Sequence, residues 1–344
     1  MMITLTMTPL MRRRLDQLKK NKRGFYSLWV LLALFFFSLF AEFIASERPL
    51  LVKFDGQYYF PVVRNYTETT FGGTFATTTN YRDKYVQDLI KQKGWIVWPM
   101  IKFGPNTVNY DLTTPAPSPP STDNWLGTDD QGRDVMARLI YGYRTSILFG
   151  LYLTIVASML GVAAGALQGY FGGKVDLIFQ RFIEIWSGLP TLFLLIILSS
   201  MIEPNFWWLL GIMALFSWVA LVGVVRAEFF RTRSFDYVRA AEALGVPTFR
   251  IMTRHILPNA MVATITYLPF ILNGSISTLT SLDFLGFGLP PGSASLGELL
   301  TQGKNNIQAL WLGLTGFFSL AFLLSLLIFI GEAVRDAFDP RKVL

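Results

Sequence analysis

The chain of 344 residues has no cysteine, which excludes disulfides, thiolate metal ligands and cysteine nucleophiles, and leaves the compartment open. It has one histidine, His255, too few for a multi-histidine metal centre. A Ser-His-Asp triad would have to assemble around that residue, and packing is its simpler role. No Gly-x-x-x-x-Gly-Lys-Ser/Thr loop is present. The nearest segment, Gly172-Gly173-Lys174, lacks the leading glycine and the hydroxyl residue, so it reads as a tight turn. Work driven by nucleotide therefore needs a second protein. Charge is also scarce, at 15% against 52% hydrophobic residues, far from the balance of a soluble domain.

What fills the chain instead is long apolar runs. A spanning helix needs about 20 mostly apolar residues, and backbone amides in lipid must pair within their own segment. Six stretches qualify: 24–45, 145–167, 185–202, 206–225, 260–282 and 310–330. The expected fold is all-α and polytopic, with six transmembrane helices. The first run is too long for a removed signal peptide and lacks the small-residue cleavage site.

Basic residues set the orientation. Seven Lys/Arg stand between Arg12 and Arg23 against one acid, Asp16. Arg226, Arg231, Arg233, Arg239, Arg250 and Arg254 follow the fourth run, and Arg335, Arg341 and Lys342 close the chain. Six crossings put all three groups on one side, and the positive-inside rule makes that side cytoplasmic, with both termini. Segment 46–143, with ten basic and ten acidic residues, lies outside. These flanking loops account for the net charge of +7, so nucleic acid is not an expected partner; membrane lipid is.

The organisation follows. Residues 1–23 form a basic N-terminus whose first ten residues are unpatterned and expected to be disordered or a start-site artefact. The first span, 24–45, leads into an insertion, 46–120, with strand-like aromatic pieces at 57–61 and 94–103, a Gly72-Gly73 turn and a Pro-rich linker at 115–120. Its expected β content suits either a cover for a partner or pore mouth, or a spacer. A transmembrane domain occupies 121–344. Within it Glu203-Pro204-Asn205 reads as a tight hairpin, 226–259 as a basic cytoplasmic loop and 283–306 as a Gly/Pro-rich external loop. Arg181 with Glu184 and Glu332 with Arg335 have ion-pair spacing, and Asp283 is expected to face an external vestibule.

The most informative segment is 236–258. A helical wheel places Tyr237, Ala240, Ala241 and Leu244 on one face, with Arg239 and Glu242 pointing away. Gly245 suits a C′ position and Pro247 a first turn, so two short helices meet at a bend. A narrow apolar ridge of two turns fits a groove on a partner, while a solvated loop helix is the plainer reading. Further out, Thr128 with Gln131 and Ser295 with Glu298 have capping-box spacing, and Gly286, Gly288 and Pro290 supply turns.

Arg239-Ala-Ala-Glu-Ala-Leu-Gly245, followed by Arg254-His-Ile-Leu-Pro258, resembles the "EAA" loop of bacterial ABC importer permeases of the peptide and nickel branch. Three more of its signatures are present in chain order around it: Trp125-Leu-Gly-Thr-Asp-Asp-Gln-Gly-Arg-Asp-Val135, Ser281-Leu-Asp-Phe-Leu-Gly-Phe-Gly-Leu-Pro-Pro291 and Gly331-Glu-Ala-Val-Arg-Asp-Ala-Phe-Asp-Pro340. The resemblance covers about residues 120–341. Glu242 departs from it, because Arg or Lys is frequent there. With its long insertion, the chain is most similar to permeases of microcin C (Yej-type) oligopeptide importers.

The resemblance implies a type I importer permease in the bacterial inner membrane, paired with a second permease, an ABC ATPase and a periplasmic binding protein. ATP and magnesium would be bound by the ATPase, leaving no cofactor, metal or catalysis to this chain. Asp236, Tyr237, Arg239, Ala240, Ala241, Glu242, Leu244, Gly245, Arg254, His255 and Pro258 would form the coupling loop. Gly127, Thr128, Asp129, Gly132, Arg133, Asp134, Gly286, Gly288 and Pro290 would lie at the periplasmic gate or docking face. An ion-coupled transporter would instead need matched broken helices in two halves, which are not evident. An intramembrane enzyme would need paired catalytic groups at membrane depth, and none stands out.

Overall fold

The computed structural model describes residues 9–201 and 205–338. Residues 1–8, part of the expected hairpin at 203–204, and Arg341 and Lys342 lie outside the described residues. The N-terminal expectation is corrected at its edge, since helix α1 starts at Pro9 (Pro9–Lys20). Helix α2 (Lys22–Leu39) carries the first apolar run, and a single turn, α3 (Ala41–Ile44), ends it.

Helices α5 (Val135–Phe171), α12 (Leu257–Leu285) and α14 (Leu310–Phe338) contain the second, fifth and sixth runs. Each is longer than its run because polar turns at the ends continue the backbone ladder. The third run is split into α6 (Gly173–Ser187) and α7 (Thr191–Met201), bent by 66° around Gly188-Leu189-Pro190. Pro190 cannot continue the ladder. The fourth run divides into α8 (Phe206–Ser217) and α9 (Val219–Thr232), bent by 41°. There Ser217 Oγ donates to the Met213 carbonyl at 2.8 Å, a local bond that bends helices. Among the described residues four helices are long and apolar enough to cross a membrane, or up to six if each bent pair is one span.

The chain divides into two compact units, the first built from Met1–Leu32, Ile147–Pro290 and Ala321–Leu344. In this unit Gly161, Gly165 and Gly169 stand four apart on α5 and face α9 directly. A Cβ on Gly161 would lie 2.5 Å from the Trp218 carbonyl, and one on Gly165 would lie 2.8 Å from that of Val222. Such small-residue stripes let two helix backbones approach closely, which is how helices associate where lipid offers no hydrophobic drive. The same device joins α2 to α14, where a Cβ on Gly24 would overlap Ala333. Asp176 on α6 takes two hydrogen bonds from the Arg226 guanidinium on α9, at 2.5 and 2.6 Å. Arg181 and Glu184 pair as their spacing predicts; Glu332 and Arg335 do not, and both are exposed.

The second unit comprises Ala33–Ser146 and Pro291–Leu320. Its insertion contains a small antiparallel sheet in the order β2-β1-β3, from β1 (Leu51–Phe54), β2 (Gln57–Tyr59) and β3 (Gly94–Val97). The strand-like pieces of the sequence are β2 and β3. The central β1 was not foreseen, because its four residues are too short for alternation to stand out.

One face of β1, Val52 and Phe54, packs on Phe71, Tyr81, Val86 and Ile90. The last two come from α4 (Lys84–Lys93), whose N-terminus Asp83 caps by accepting from the Tyr85 amide at 2.9 Å. Burial pushes the Tyr81 phenol up to about 12. A parallel bridge between Ala45 and Ile101 ties this module to the end of α3. Helix α13 (Leu296–Asn305) packs beside the start of α5 through Leu299, Val135 and Leu312.

Candidate functional site

The loop of the first unit is built around α10 (Asp236–Ala243), two turns long. Asp236 in its first turn complements the helix dipole. At the other end Gly245 adopts φ +71°, its amide donates to Glu242 O at 2.9 Å, and Val246 N donates to Ala241 O at 3.1 Å. This is a Schellman termination, which needs a left-handed residue at that position. Pro247 follows, capping α11 (Thr248–Arg250) rather than sitting in its first turn. A π-helical stretch, Ile251–Ile256, then leads into α12, with Pro258 near the helix start. Non-polar contact holds the bend in place: Val238, Ala241, Ile251 and Ile256 are buried with Val225 and Phe229.

The expected ridge is therefore split. Ala241 faces inward with Val238, three residues before it, whereas Tyr237, Ala240 and Leu244 are exposed. A wheel shows which residues share a side, but the side that packs is chosen by what α9 and α12 offer. The outward surface is capped by Leu244, 83% exposed, and Phe249, 78% exposed. Arg239 and Glu242 are exposed as expected, and Glu242 accepts from Tyr170 Oη at 3.2 Å, so it is tied back to α5. Asn259 Nδ2 donates to Tyr237 Oη at 2.8 Å, and the Tyr237 hydroxyl donates to the His255 carbonyl at 3.4 Å. His255 is half-buried and Arg254 is exposed.

Gly286, Gly288 and Pro290 also fall in this unit. Gly286 terminates α12, and Gly288 lies so close to Asp283 that a Cβ would overlap its carboxylate. Asp283 Oδ1 accepts the Leu289 amide at 2.7 Å, which closes the turn.

In the second unit the Gly127–Asp134 motif folds inward around an ion cluster. Asp129 is fully buried; its Oδ1 accepts the amides of Gln131 and Arg133 at 3.0 and 2.9 Å, and its Oδ2 accepts Arg133 Nε at 2.6 Å. Glu298 on α13 spans both arginines, taking Arg138 Nη2 at 2.6 Å and Arg133 Nη2 at 3.2 Å. Arg138 on α5 is completely buried and also donates to the carbonyls of Pro105 and Ser293. Two anions thus balance two cations, and the loop carbonyls take further bonds from the Arg138 Nη atoms, while its Nε, 3.5 Å from Asp129 Oδ2, makes no hydrogen bond among the described residues.

The capping boxes differ from expectation. Thr128 caps nothing; its hydroxyl accepts the Ser118 amide at 2.9 Å. Asp134 caps α5 instead, accepting the Ala137 amide at 2.7 Å and Asn124 Nδ2 at 2.7 Å. Ser295 does cap α13 through the Glu298 amide, but the Glu298 carboxylate serves the arginines rather than reaching back. Gly127 and Gly132 occupy left-handed positions in this loop. Burial pushes the Asp134 carboxyl up, against the bonds from Asn124, Ala137 and Met136. Arg138 and Glu298 stand 160 residues apart, and no spacing rule links them.

Among the described residues no group of three or more His, Cys, Asp or Glu side chains is placed to hold a metal ion. The geometry is that of scaffold and surface. Residues 143–343 match the family model described as binding-protein-dependent transport system inner membrane component. The chain belongs to this family. Residues 9–60 match the N-terminal transmembrane domain of oligopeptide transport permease C.

The inner membrane ABC transporter permease protein YejE of Escherichia coli K12 is 61% identical, covering 98% of this chain and 99% of the relative. The peptidoglycan transport system permease protein YejE of Agrobacterium fabrum C58 is 56% identical, over 97% and 94%. The dipeptide transport system permease protein DppC of Bacillus subtilis 168 is 34% identical, over 69% and 75%. A likeness to a chain of the MetNI methionine ABC transporter (TM-score 0.47, 14% identity, 59% of this chain and 97% of that one) is too weak to bear on the fold. The chain is a helical polytopic membrane protein and a permease subunit of an ABC importer of the peptide-transport type.

Proposed function

We propose that the chain crosses the bacterial inner membrane six times with both termini in the cytoplasm, and that loop 236–258 is seated in a cleft of an ABC ATPase. The supporting observation is Leu244 and Phe249, large apolar side chains left exposed by a loop whose inner face is firmly packed. A solvated loop helix has no use for them; a groove in a partner does. ATP binding and hydrolysis belong to that partner, and closure of its subunits pulls the loop. The packed helices α9 and α12 then carry the motion toward the gate, as rigid bodies do in alternating-access machines.

A second permease completes the pore, and a periplasmic binding protein delivers the cargo to the external face. The insertion 46–120 lies on that face. Oligopeptides or peptide-like compounds are the cargo. The names of the relatives support this class, one mentioning peptidoglycan and others peptides, and microcin C is a compatible member. The absence of native cysteine makes the test direct. Ala240→Cys, exposed on α10, is labelled with a thiol-reactive photo-cross-linker, which inserts into any neighbouring side chain, and irradiated in native membranes. A product with an ABC ATPase that weakens when the nucleotide state changes is expected. Efficient maleimide labelling of the introduced thiol without any ATPase adduct would refute the seating.

A further inference from the structure

Helix α6 carries two exposed stripes side by side. Lys174, Leu177, Arg181 and Glu184 form one, and Val175, Ile178, Phe182 and Ile185 form the other. Both advance by three or four residues, so each keeps to its own side of the helix. Asp176, Phe179, Ile183 and Trp186, less exposed than either, make the third and inward side.

Two contacts fix how deep α6 lies. Near its start Asp176 takes Arg226, the residue that directly follows the fourth apolar run. Near its end Trp186 Nε1 donates at 2.8 Å to the Leu215 carbonyl, in the middle of that run. The helix therefore lies antiparallel beside the run, from its cytoplasmic end to its middle. Glu184 stands about 12 Å past Asp176 along the helix, in a hydrocarbon layer about 30 Å thick. The third run begins only at residue 185, which taken alone puts both charges at the interface. Its 66° bend turns much of that run aside, and the fourth run, bent by 41°, is the better gauge of depth.

Arg181 Nη1 donates to Glu184 Oε2, and the two side chains are 75% and 55% exposed. Neither makes another hydrogen bond among the described residues, so the remaining guanidinium donors and carboxylate lone pairs still need partners. Hydrocarbon supplies none, and charged side chains at membrane depth turn toward water or toward other polar groups. Water meets these needs at once, whereas a facing protein wall would have to bring a matching group for each.

We propose that the charged stripe of α6 lines the water-filled path of the importer, and that Arg181 and Glu184 offer counter-charges to the carboxylate and ammonium groups of a passing peptide. The proposal rests on the importer reading above and adds the surface that the cargo meets. A pair that re-forms behind each cargo leaves no charge unpartnered, which suits transit rather than storage.

The test again uses the absence of native cysteine. Ser187 lies three residues beyond Glu184 on the same side, and Ile185 belongs to the apolar stripe; both are exposed. Each is changed to cysteine, and the complex in proteoliposomes is treated with a water-soluble methanethiosulfonate reagent, which needs an ionised thiol. Ser187→Cys should react at least about tenfold faster than Ile185→Cys, and its rate should change between the ATP-bound and nucleotide-free complex. Equal rates at the two positions in both states would overturn the assignment, since the charged stripe would then be dry. In the double variant Arg181→Gln, Glu184→Gln, uptake of a tripeptide with free termini should fall several-fold while the melt and the copurifying ATPase stay unchanged. Wild-type uptake by that variant would overturn the cargo contact. Cross-linking from position 240 is read separately, so failure here leaves the ATPase reading standing.

Discussion

Loop 236–258 and the motif 127–134 both bear residues that resemble the family's signatures, yet they are built in opposite ways. The loop is held by apolar contacts and turns large apolar side chains toward water. The motif is held by ions and turns them away: Asp129, Arg133, Asp134 and Arg138 are each no more than 3% exposed. One segment offers a surface and the other supplies an anchor. A signature residue can therefore mark a partner contact or an internal brace, and burial decides which.

The largest effect should come from breaking the brace. Arg138→Ala leaves Glu298 with one arginine and removes the group that joins α5 to the 105 and 293 loops. Removing one member of a buried ion network costs roughly 3–5 kcal/mol. The expected result is loss of folded protein in a thermal melt, whereas Arg138→Met should recover a part of it through packing. A melt within a degree of wild type for Arg138→Ala would collapse the contrast.

The next prediction sets neighbours against each other. Ala241→Arg puts a charge among Val238, Phe229 and Ile256, so it should reduce stability and uptake together. Ala240→Arg points outward, and should leave the melt unchanged while uptake falls at least about tenfold. Equal behaviour of the two variants would erase the inside–outside distinction within α10. Gly245→Ala, at φ +71°, should cost about 1–2 kcal/mol in the melt, the usual penalty of a left-handed side chain. Leu244→Ala and Phe249→Ala should have smaller consequences still: no change in stability and a several-fold loss of substrate-stimulated ATPase activity in the assembled complex.

Much of this was legible in the sequence, because lipid leaves the backbone few choices. The apolar runs mapped onto helices, Gly245 marked its own turn, and the strand-like aromatic pieces became β2 and β3. Three things were not legible. The inward side of α10 depends on Val225 and Phe229, whose position follows from the glycine stripe on α5. That stripe has a four-residue period, and an apolar run conceals it. Arg138 meets Glu298 only after the chain has crossed the intervening helices. The Thr128 capping box failed because Asp134, directly before α5, is a better cap. Local spacing ranks caps only when the start of the helix is already known.

Asp134 gives the subtlest test of the brace. Burial raises its carboxyl pKa, so the folded unit binds that proton more tightly than the unfolded chain does. The linkage then has a definite sign: this term favours folding below the ordinary carboxylate range and is lost as pH rises through the raised value. Asp134→Asn removes the titration but keeps a carbonyl oxygen for the Ala137 amide, so α5 remains capped. Its melting temperature should thus change less with pH over the acidic range than that of wild type, with the two curves converging at low pH. A wild-type melt that rises with pH in that window more steeply than the variant's would mean that Asp134 is held by its hydrogen bonds as a carboxylate.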